Sequence, residues 1–381
     1  MAKLKNRLDS GLNNAELRLL GSVNKRAQLL TLEGGKMKAV QYHGPCEIKV
    51  VEIDVPEIDS DELLVKVEVT LTCGTDLKMY MRGHRLAKPP MTLGHEFAGV
   101  VVDVGKHVTT FEEGMRVVAA NSAPCNACFF CRKGKPNLCE HLEEDLIGFS
   151  APGAYAEYVR VPAKIVKQNV HKIPDHVSFK EAALLEPLAC VVHGNDLADI
   201  RFGDSVVVVG AGPIGLLHLQ LAKNRGAWKV MVVDISDERL QTACELGAEN
   251  TINAEREDHV RKVMELTGGR GADVAIEAVG LPETWENALR MTRKAGTVLL
   301  FGGCPSGTSV SFDTDRLHYG ELTVKGAFHH TPSCVEKSLS LISSGSIKTT
   351  GIVTHEMPLE EVEKALQLMA QGEAVKVALI P

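Results

Sequence analysis

Cys125, Cys128, Cys131 and Cys139 stand in a C-x2-C-x2-C-x7-C pattern, and four thiolates on short loops make the closed tetrahedral shell that structural zinc takes. An iron–sulfur cluster is the competing reading, but the fourth cysteine is spaced differently from the bacterial ferredoxin run and no proline follows it. A saturated shell leaves no position for a substrate, so chemistry must happen elsewhere. Gly210, Gly212 and Gly215 form G-x-G-x-x-G inside GAGPIG, with Pro213 and Ile214 opening a helix. Glycine there permits a tight turn, close approach to a pyrophosphate, and close packing of helix on strand. Alone the pattern also fits an ordinary strand-to-helix turn. Asp234, 19 residues beyond Gly215, decides between them, because a carboxylate there accepts hydrogen bonds from both adenosine ribose hydroxyls and repels a 2′-phosphate. The expected dinucleotide is therefore NAD. Arg239, one turn on, could stack on adenine, hold a phosphate despite the neighbouring Asp234, or be a solvated helix residue. Three further segments carry candidate ligands: Cys73 in TCGTD, His95 and Glu96 in GHE, and Glu186 in LLEPLACVVHG. Taken singly they are unremarkable, since a lone buried cysteine or histidine is usually packing.

The elements that must position these residues fall into two kinds. From Met37 the chain runs in short β-branched stretches separated by Pro, Gly and Asp, which predicts an antiparallel, barrel-like start. After about Val191 the rhythm becomes strand, helix, strand: SVVVVG, KVMVVD, ADVAIEAVG and GTVLLFGG alternate with helical segments. That order predicts an α/β doubly wound parallel sheet of Rossmann type, whose continuous apolar strands are covered on both faces. The expected organisation is an N-terminal extension over 1–36, a mainly β domain over 37–187 carrying a cysteine lobe at about 121–142, a dinucleotide-binding domain over 188–325, and a return to the first domain over 326–381. The extension carries seven Lys or Arg against three acids and reads as a dispensable extension or an early start, with a packing arm as the alternative.

The chain has 381 residues, 44% hydrophobic and 24% charged, with a formal net charge of -7. That length permits two cores, and the acidic balance offers no footprint for nucleic acid. No run of about 18 apolar residues suggests a membrane span, and no signal-peptide core is visible. Ten cysteines in so long a chain suit a reducing, cytoplasmic setting.

Cys-x-Thr-Asp, MTLGHEFAGVVVDVG, the four-cysteine lobe, GAYAEYVRVP and GAGPIG occur in one order, and together they resemble the zinc-containing medium-chain alcohol dehydrogenases, nearest the sorbitol and threonine dehydrogenase branch. The likeness runs from Met37 to Pro381. It implies a GroES-like catalytic domain and two zinc ions per chain, the second one catalytic. That ion would be held by Cys73 and His95, with Glu186 as third protein ligand and Glu96 as a neighbouring or exchangeable one. A glutamate at Glu186 is typical of the polyol branch. Cys190 is a weaker candidate. Asp76 would orient the histidine ligand, Thr75 would pass the alcohol proton outward, and Tyr80 would face the substrate. Val279, Gly280, Phe301 and Gly302 would line the nicotinamide side, and His329, His330 and Arg82 would border the pocket.

The implied reaction is hydride transfer from a secondary alcohol, a polyol or vicinal diol, to NAD, giving a ketone. Oxidation of threonine or of a sugar phosphate is the alternative within the same chemistry. A non-catalytic dinucleotide-binding protein of this fold is the rival from another class, and retention of Cys73, His95, Glu186 and Asp76 argues against it. The resemblance also implies a homotetramer or homodimer.

Overall fold

The computed structural model describes residues 35–381; the expected extension falls almost wholly outside them. Strands β1 (Lys36–Gly44) and β2 (Glu47–Asp54) form a hairpin. Strand β3 (Leu63–Leu71) follows, and then helix α1 (Gly74–Arg82), strands β4 (Met91–Thr92) and β5 (Glu96–Val104), then β6 (Arg116–Ala119), β7 (Tyr158–Val161) and β8 (Val170–Lys172). β1 is the centre of a three-stranded antiparallel sheet between β2 and β4. β3 is the hub of a larger sheet, paired antiparallel with β5 and β7, and β5 continues to β6 and β8.

Helix α2 (Leu185–Ala198) leads into the second unit: β9 (Ser205–Val209), α3 (Pro213–Asn224), β10 (Lys229–Asp234), α4 (Asp237–Glu245), β11 (Asn250–Asn253), α5 (His259–Leu266), β12 (Ala272–Glu277), α6 (Pro282–Met291), β13 (Thr292–Leu300) and β14 (Thr323–Gly326). These strands are all parallel, in the order β11-β10-β9-β12-β13-β14. β9 is buried at every position, which is why SVVVV lacks a polar alternation: helices cover both faces. The order reverses between β9 and β12. Crevices beyond the carboxyl ends of strands at such a switch are where ligands bind in open parallel sheets.

Helix α7 (Pro332–Ser343) then packs along α2. Strand β15 (His355–Pro358), helix α8 (Val362–Gln371) and β16 (Val377–Ile380) complete the first sheet, where β16 pairs with β3 through Ala378 opposite Leu71. One apolar cluster runs without a break from Leu71, Ala98 and Val118 of the first sheet, through Leu185 and Leu188 of α2, to Val206 and Val208 of the second. The two sheets therefore share a core across α2, and the N-terminal turn of α2 lies where they meet.

Candidate active site and metal centres

The β3–β5 ladder ends with Leu71 opposite Glu96. Cys73 lies two residues past that pair on one strand and His95 one residue before it on the other, so backbone pairing alone brings the two together. Cys73 is also the N-cap of α1: its sulfur accepts the N–H of Thr75 at 3.4 Å, and Asp76 returns a carboxylate oxygen to the Cys73 N–H at 2.9 Å. This reciprocal cap holds the sulfur at the positive end of a helix dipole. Ligand atoms of Cys73, His95 and Glu96 all lie within 4.8 Å of one another.

Asp76 is fully buried, and its other oxygen stands 3.2 Å from Nδ1 of His95. A carboxylate on one ring nitrogen fixes the tautomer and presents the other nitrogen as an electron donor. Burial works against a charged His95, but the Asp76 carboxylate and the Cys73 thiol outweigh it and hold its pKa well above the ordinary value. Tyr155, with no exposed surface, donates its hydroxyl to Asp76 at 2.7 Å. The chain makes room for that ring at Gly94 (φ +91°), where a Cβ would come 2.4 Å from the Tyr155 ring. Sequence reasoning passed over Tyr155, although it sits in the GAYAEYVRVP motif. Tyr155→Phe is expected to leave the fold intact and lower metal affinity at Cys73–His95 about tenfold, the usual scale for losing an outer hydrogen bond to a ligand set. Chelator competition measures this, and an unchanged affinity would remove Tyr155 from the site.

Glu96 is buried with its two oxygens in different situations. Oε2 accepts from Nζ of Lys376 at 2.5 Å, and that ammonium also donates to the Thr72 carbonyl at 2.7 Å. Oε1 is buried and has no hydrogen-bond partner among the described residues. Desolvation raises the carboxyl pKa against the pull of Lys376 and His95. A buried carboxylate oxygen without a donor is costly, and a cation shared with a thiol and an imidazole relieves that cost. Thiolate, imidazole and carboxylate form the donor set of an open zinc site, so these residues fit the ion. Lys376 was not foreseen; a lysine inside the apolar AVKVALI strand is the signal that could have found it.

Glu186 enters from the first turn of α2 and is also buried, with its carboxyl pushed up to about 7 by desolvation. Sγ of Cys190 is 3.9 Å from it and Nε2 of His330 is 4.0 Å away, and the charges of His95, Glu96 and Lys376 also act on its carboxylate. The structure thus places Glu96 in the group with Cys73 and His95, and Glu186 in one with His329 and His330. Both histidines follow β14 and hold to the first unit, His329 Nε2 at 2.5 Å from Ser122 Oγ and His330 Nε2 at 3.3 Å from Asn121 Oδ1. Burial pushes His329 down to about 4 and His330 well below its ordinary value. Tyr80 is committed elsewhere. Its hydroxyl donates to Glu363 at 2.6 Å within an apolar cluster that includes Val362 and Leu366 of α8, and so its donor is not free for a substrate. Arg82, at the end of α1, is exposed.

At the switch point Gly210 follows β9 and Pro213 starts α3. Gly215 packs so close to the loop that an added Cβ would lie 1.7 Å from the Gly210 carbonyl oxygen. Asp234 ends β10 and braces this turn: one carboxylate oxygen accepts the Ala211 N–H at 2.6 Å, the other the N–H groups of Ile235 and Ser236. Arg239 is partly buried on α4. Beyond β12, buried Glu277 accepts from the N–H groups of Val279 and Gly280 at 2.8 Å each and from the Thr284 hydroxyl, while its backbone carbonyl accepts from Phe301 and Gly302. Glu277 therefore pins together the four residues expected beside nicotinamide. A cavity of about 350 Å³ opens there between Phe301, Gly302 and Trp285 on one side and Asn137 and Leu138 of the cysteine lobe on the other.

In the lobe, the sulfurs of Cys125, Cys128, Cys131 and Cys139 lie within 4.8 Å of one another, and none of these cysteines is disulfide-bonded. Backbone N–H groups point at them, from Ala127 and Cys128 to Cys125, and from Cys125 and His141 to Cys139. Backbone donors at Cys131 and Glu140 pull Cys128 down to about 6, whereas burial and its neighbours push Cys131 up to about 12. Four thiols so close cannot all ionise unless a cation sits among them, which is the condition a structural zinc meets.

Two family profiles match the chain: the alcohol dehydrogenase GroES-like domain over residues 59–175 and zinc-binding dehydrogenase over residues 213–344. A sorbitol dehydrogenase of Bombyx mori is 35% identical over 90% of this chain and 97% of that protein. This chain belongs to the zinc-binding alcohol dehydrogenase family. An L-threonine 3-dehydrogenase of Bacillus velezensis is 36% identical over 91% of this chain and 100% of its own length. In three dimensions the dehydrogenase matches a zinc-binding dehydrogenase of Sinorhizobium meliloti bound to NADP, at TM-score 0.85 and 34% identity, covering 91% of this chain and 99% of the other. The mixed architecture of GroES-like unit and parallel sheet, the oxidoreductase class, and the dependence on zinc and a nicotinamide dinucleotide follow from that membership.

Proposed function

We propose that this dehydrogenase oxidises a neutral secondary alcohol bearing a neighbouring hydroxyl, a polyol or vicinal diol, to its ketone with NAD as acceptor. The observation that carries the reading is the charge of the wall around Cys73, His95 and Glu96. Lys376, the cation packed against this group, is held by Glu96 Oε2 and the Thr72 carbonyl. His329 and His330 are kept neutral by burial. Thr75, Asn121 and Ser122 are uncharged, Glu186 is acidic and His95 stands against the Asp76 carboxylate, so among these residues a carboxylate or phosphate on the substrate would meet no unpaired cation, whereas hydroxyls find donors and acceptors. This favours a polyol over threonine or a sugar phosphate.

Cys73, His95 and Glu96 would hold the catalytic zinc, which supplies Lewis acidity to the alcohol oxygen. Asp76 and Tyr155 fix the His95 ring. Thr75, partly exposed beside Cys73 on the first turn of α1, is placed to take the alcohol proton outward. Val279, Gly280, Phe301 and Gly302 orient the nicotinamide beside the reacting carbon, a task of placement and exclusion of water. Asp234 supports NAD over NADP, because the ribose 2′ position would face a carboxylate.

One panel assay tests both choices, following cofactor reduction with sorbitol, xylitol, erythritol, inositol, butanediol, threonine and galactitol phosphate, each with NAD and NADP. The expected result is highest kcat/KM on a vicinal diol without charge, with NAD preferred by about a hundredfold, some 2.7 kcal/mol. Threonine as best substrate, or equal use of NADP, would overturn the corresponding half. The free outer edge of β14 in the six-stranded sheet supports assembly as a homodimer or homotetramer through the cofactor units. Among the described residues no helix is long and apolar enough to cross a membrane. Ten thiols outside disulfides suit a cytoplasmic, reducing compartment.

A further inference from the structure

His218 belongs to neither metal centre and to no part of the cleft described above. It stands on α3 and has no exposed surface, and Asn195, facing it from α2, has none either. The Asn195 amide nitrogen lies 2.7 Å from Nδ1 of His218 and 3.2 Å from the Val191 carbonyl oxygen. The end of an amide that reaches a carbonyl is the donating end, so Nδ1 accepts and the imidazole proton sits on Nε2. Burial alone drives the pKa of His218 down to about 3, and the ring is neutral at physiological pH.

Both members of this pair keep an unpaired atom. Among the described residues Asn195 Oδ1 and His218 Nε2 have no hydrogen-bond partner, although both are buried. Two apolar side chains of similar shape would fill the same space without that cost, so stability does not account for the pair. Its geometry points to another task. The imidazole meets the Phe301 ring edge to face, at 83° with centroids 4.7 Å apart. Gly194, beside Asn195 on α2, completes the seat: a Cβ there would lie 2.9 Å from Cδ2 of Phe301 and 3.2 Å from Cε1 of His218. The Phe301 side chain is thus wedged between α2 and α3. Its backbone N–H and that of Gly302 donate to the Glu277 carbonyl, and the Gly302 carbonyl accepts from the Trp285 indole. The ring is an anchor, and the main chain beyond β13 goes where the ring is held.

We propose that His218 is a positioning residue for hydride transfer: fixed by Asn195, its ring seats Phe301 and so sets where the Phe301–Gly302 backbone meets the nicotinamide. It rests on the reading that these residues line the nicotinamide side. Fully buried, the imidazole acts only through Phe301. A displacement of roughly 1 Å at reacting atoms can cost about a hundredfold in rate, and a reseated ring behind the wall should cost less.

The test is single-turnover stopped flow on the zinc-loaded full-length enzyme, with saturating NAD and the best alcohol of the substrate panel, following the absorbance of reduced nicotinamide. A misfolded fraction lowers the amplitude and leaves the rate constant alone, whereas a misplaced nicotinamide lowers the rate constant. His218→Leu and Asn195→Ala are each expected to slow hydride transfer about tenfold, with the slowed step still sensitive to deuterium at the carbinol carbon. NAD binding should stay within about threefold of wild type, because the turn at Gly210 and Asp234 is untouched. A wild-type rate constant in both variants, or a loss confined to amplitude, would overturn the proposal; where His218→Leu does not fold, Asn195→Ala decides alone. Phe301→Leu separates the two readings. It should slow the same step, and if it does so while the other two variants do not, only the role of His218 falls. A wild-type rate constant in all three would remove Phe301 from the nicotinamide wall.

Discussion

Replacing Cys73 by serine is expected to lower kcat/KM for alcohol oxidation by about three to four orders of magnitude. A metal acting on a reacting oxygen contributes several kcal/mol, and each 1.4 kcal/mol is roughly tenfold in rate. Serine offers a neutral hydroxyl in place of a thiolate and would not match the charge the thiolate brings to an ion held there. The loss should be confined to the cleft. Asp76 can still cap the residue-73 N–H, because that bond uses backbone on one side and the aspartate on the other, so α1 keeps its N-terminal turn. The cysteine lobe keeps its ion, since its four ligands lie between residues 125 and 139. Initial rates with NAD, metal counting and NAD binding by fluorescence check these statements together. Turnover within threefold of wild type would show that the reaction does not need an ion at Cys73.

Among the described glycines, Gly215→Ala is expected to be the most damaging added methyl. The new Cβ would lie 1.7 Å from a backbone oxygen and 2.8 Å from its carbon, both of Gly210, and neither atom is a flexible side-chain tip that can swing away. The β9 turn must open or α3 must move off the sheet. The first spoils the cradle for pyrophosphate, and the second breaks packing around Leu216, Leu217 and Leu219, all fully buried or nearly so. Overpacking of this kind costs about 1–3 kcal/mol, and the Michaelis constant for NAD should rise by at least about thirtyfold in any protein that folds. Gly212→Ala supplies the contrast, because nothing lies within 4 Å of the added carbon. It should leave the melting temperature unchanged and weaken only the dinucleotide, whose approach the methyl would obstruct. Thermal melts and NAD titrations of the two variants separate these effects. A wild-type melt and a wild-type Michaelis constant for Gly215→Ala would remove this loop from cofactor binding.

The parts of the site that could be read from residue order share one property: their members are close along the chain. The four lobe cysteines fall within fifteen positions, and the short loops between them leave few geometries other than a common shell. The glycine fingerprint and Asp234 lie within one strand-helix-strand unit, so local pairing of β9 with β10 already sets Asp234 beside Ala211. Cys73, Asp76, His95 and Glu96 needed the resemblance to be grouped, because nothing in TCGTD or GHE says that Leu71 pairs with Glu96.

What escaped prediction lay at long range. Lys376 reaches Glu96 across 280 positions because β16 returns to β3, and a lysine in an apolar strand carries no mark of which carboxylate it will meet. Tyr155 reaches Asp76 across 79 positions. Tyr80 was expected at the substrate from the family resemblance, yet α8 packs against α1 and offers Glu363 to its hydroxyl. Glu277 was not singled out within ADVAIEAVG, and its buried position at the end of β12 makes it the acceptor for two loops.

By itself, then, the order of residues determined the kinds of elements, the metal lobe and the dinucleotide turn, because strand periodicity, cysteine spacing and glycine sterics act over a few residues or one supersecondary unit. Which carboxylate joins Cys73 and His95, and which stands with two histidines instead, was decided only by tertiary structure. Both glutamates are buried, and a buried charge takes its role from the partners that long-range packing brings to it.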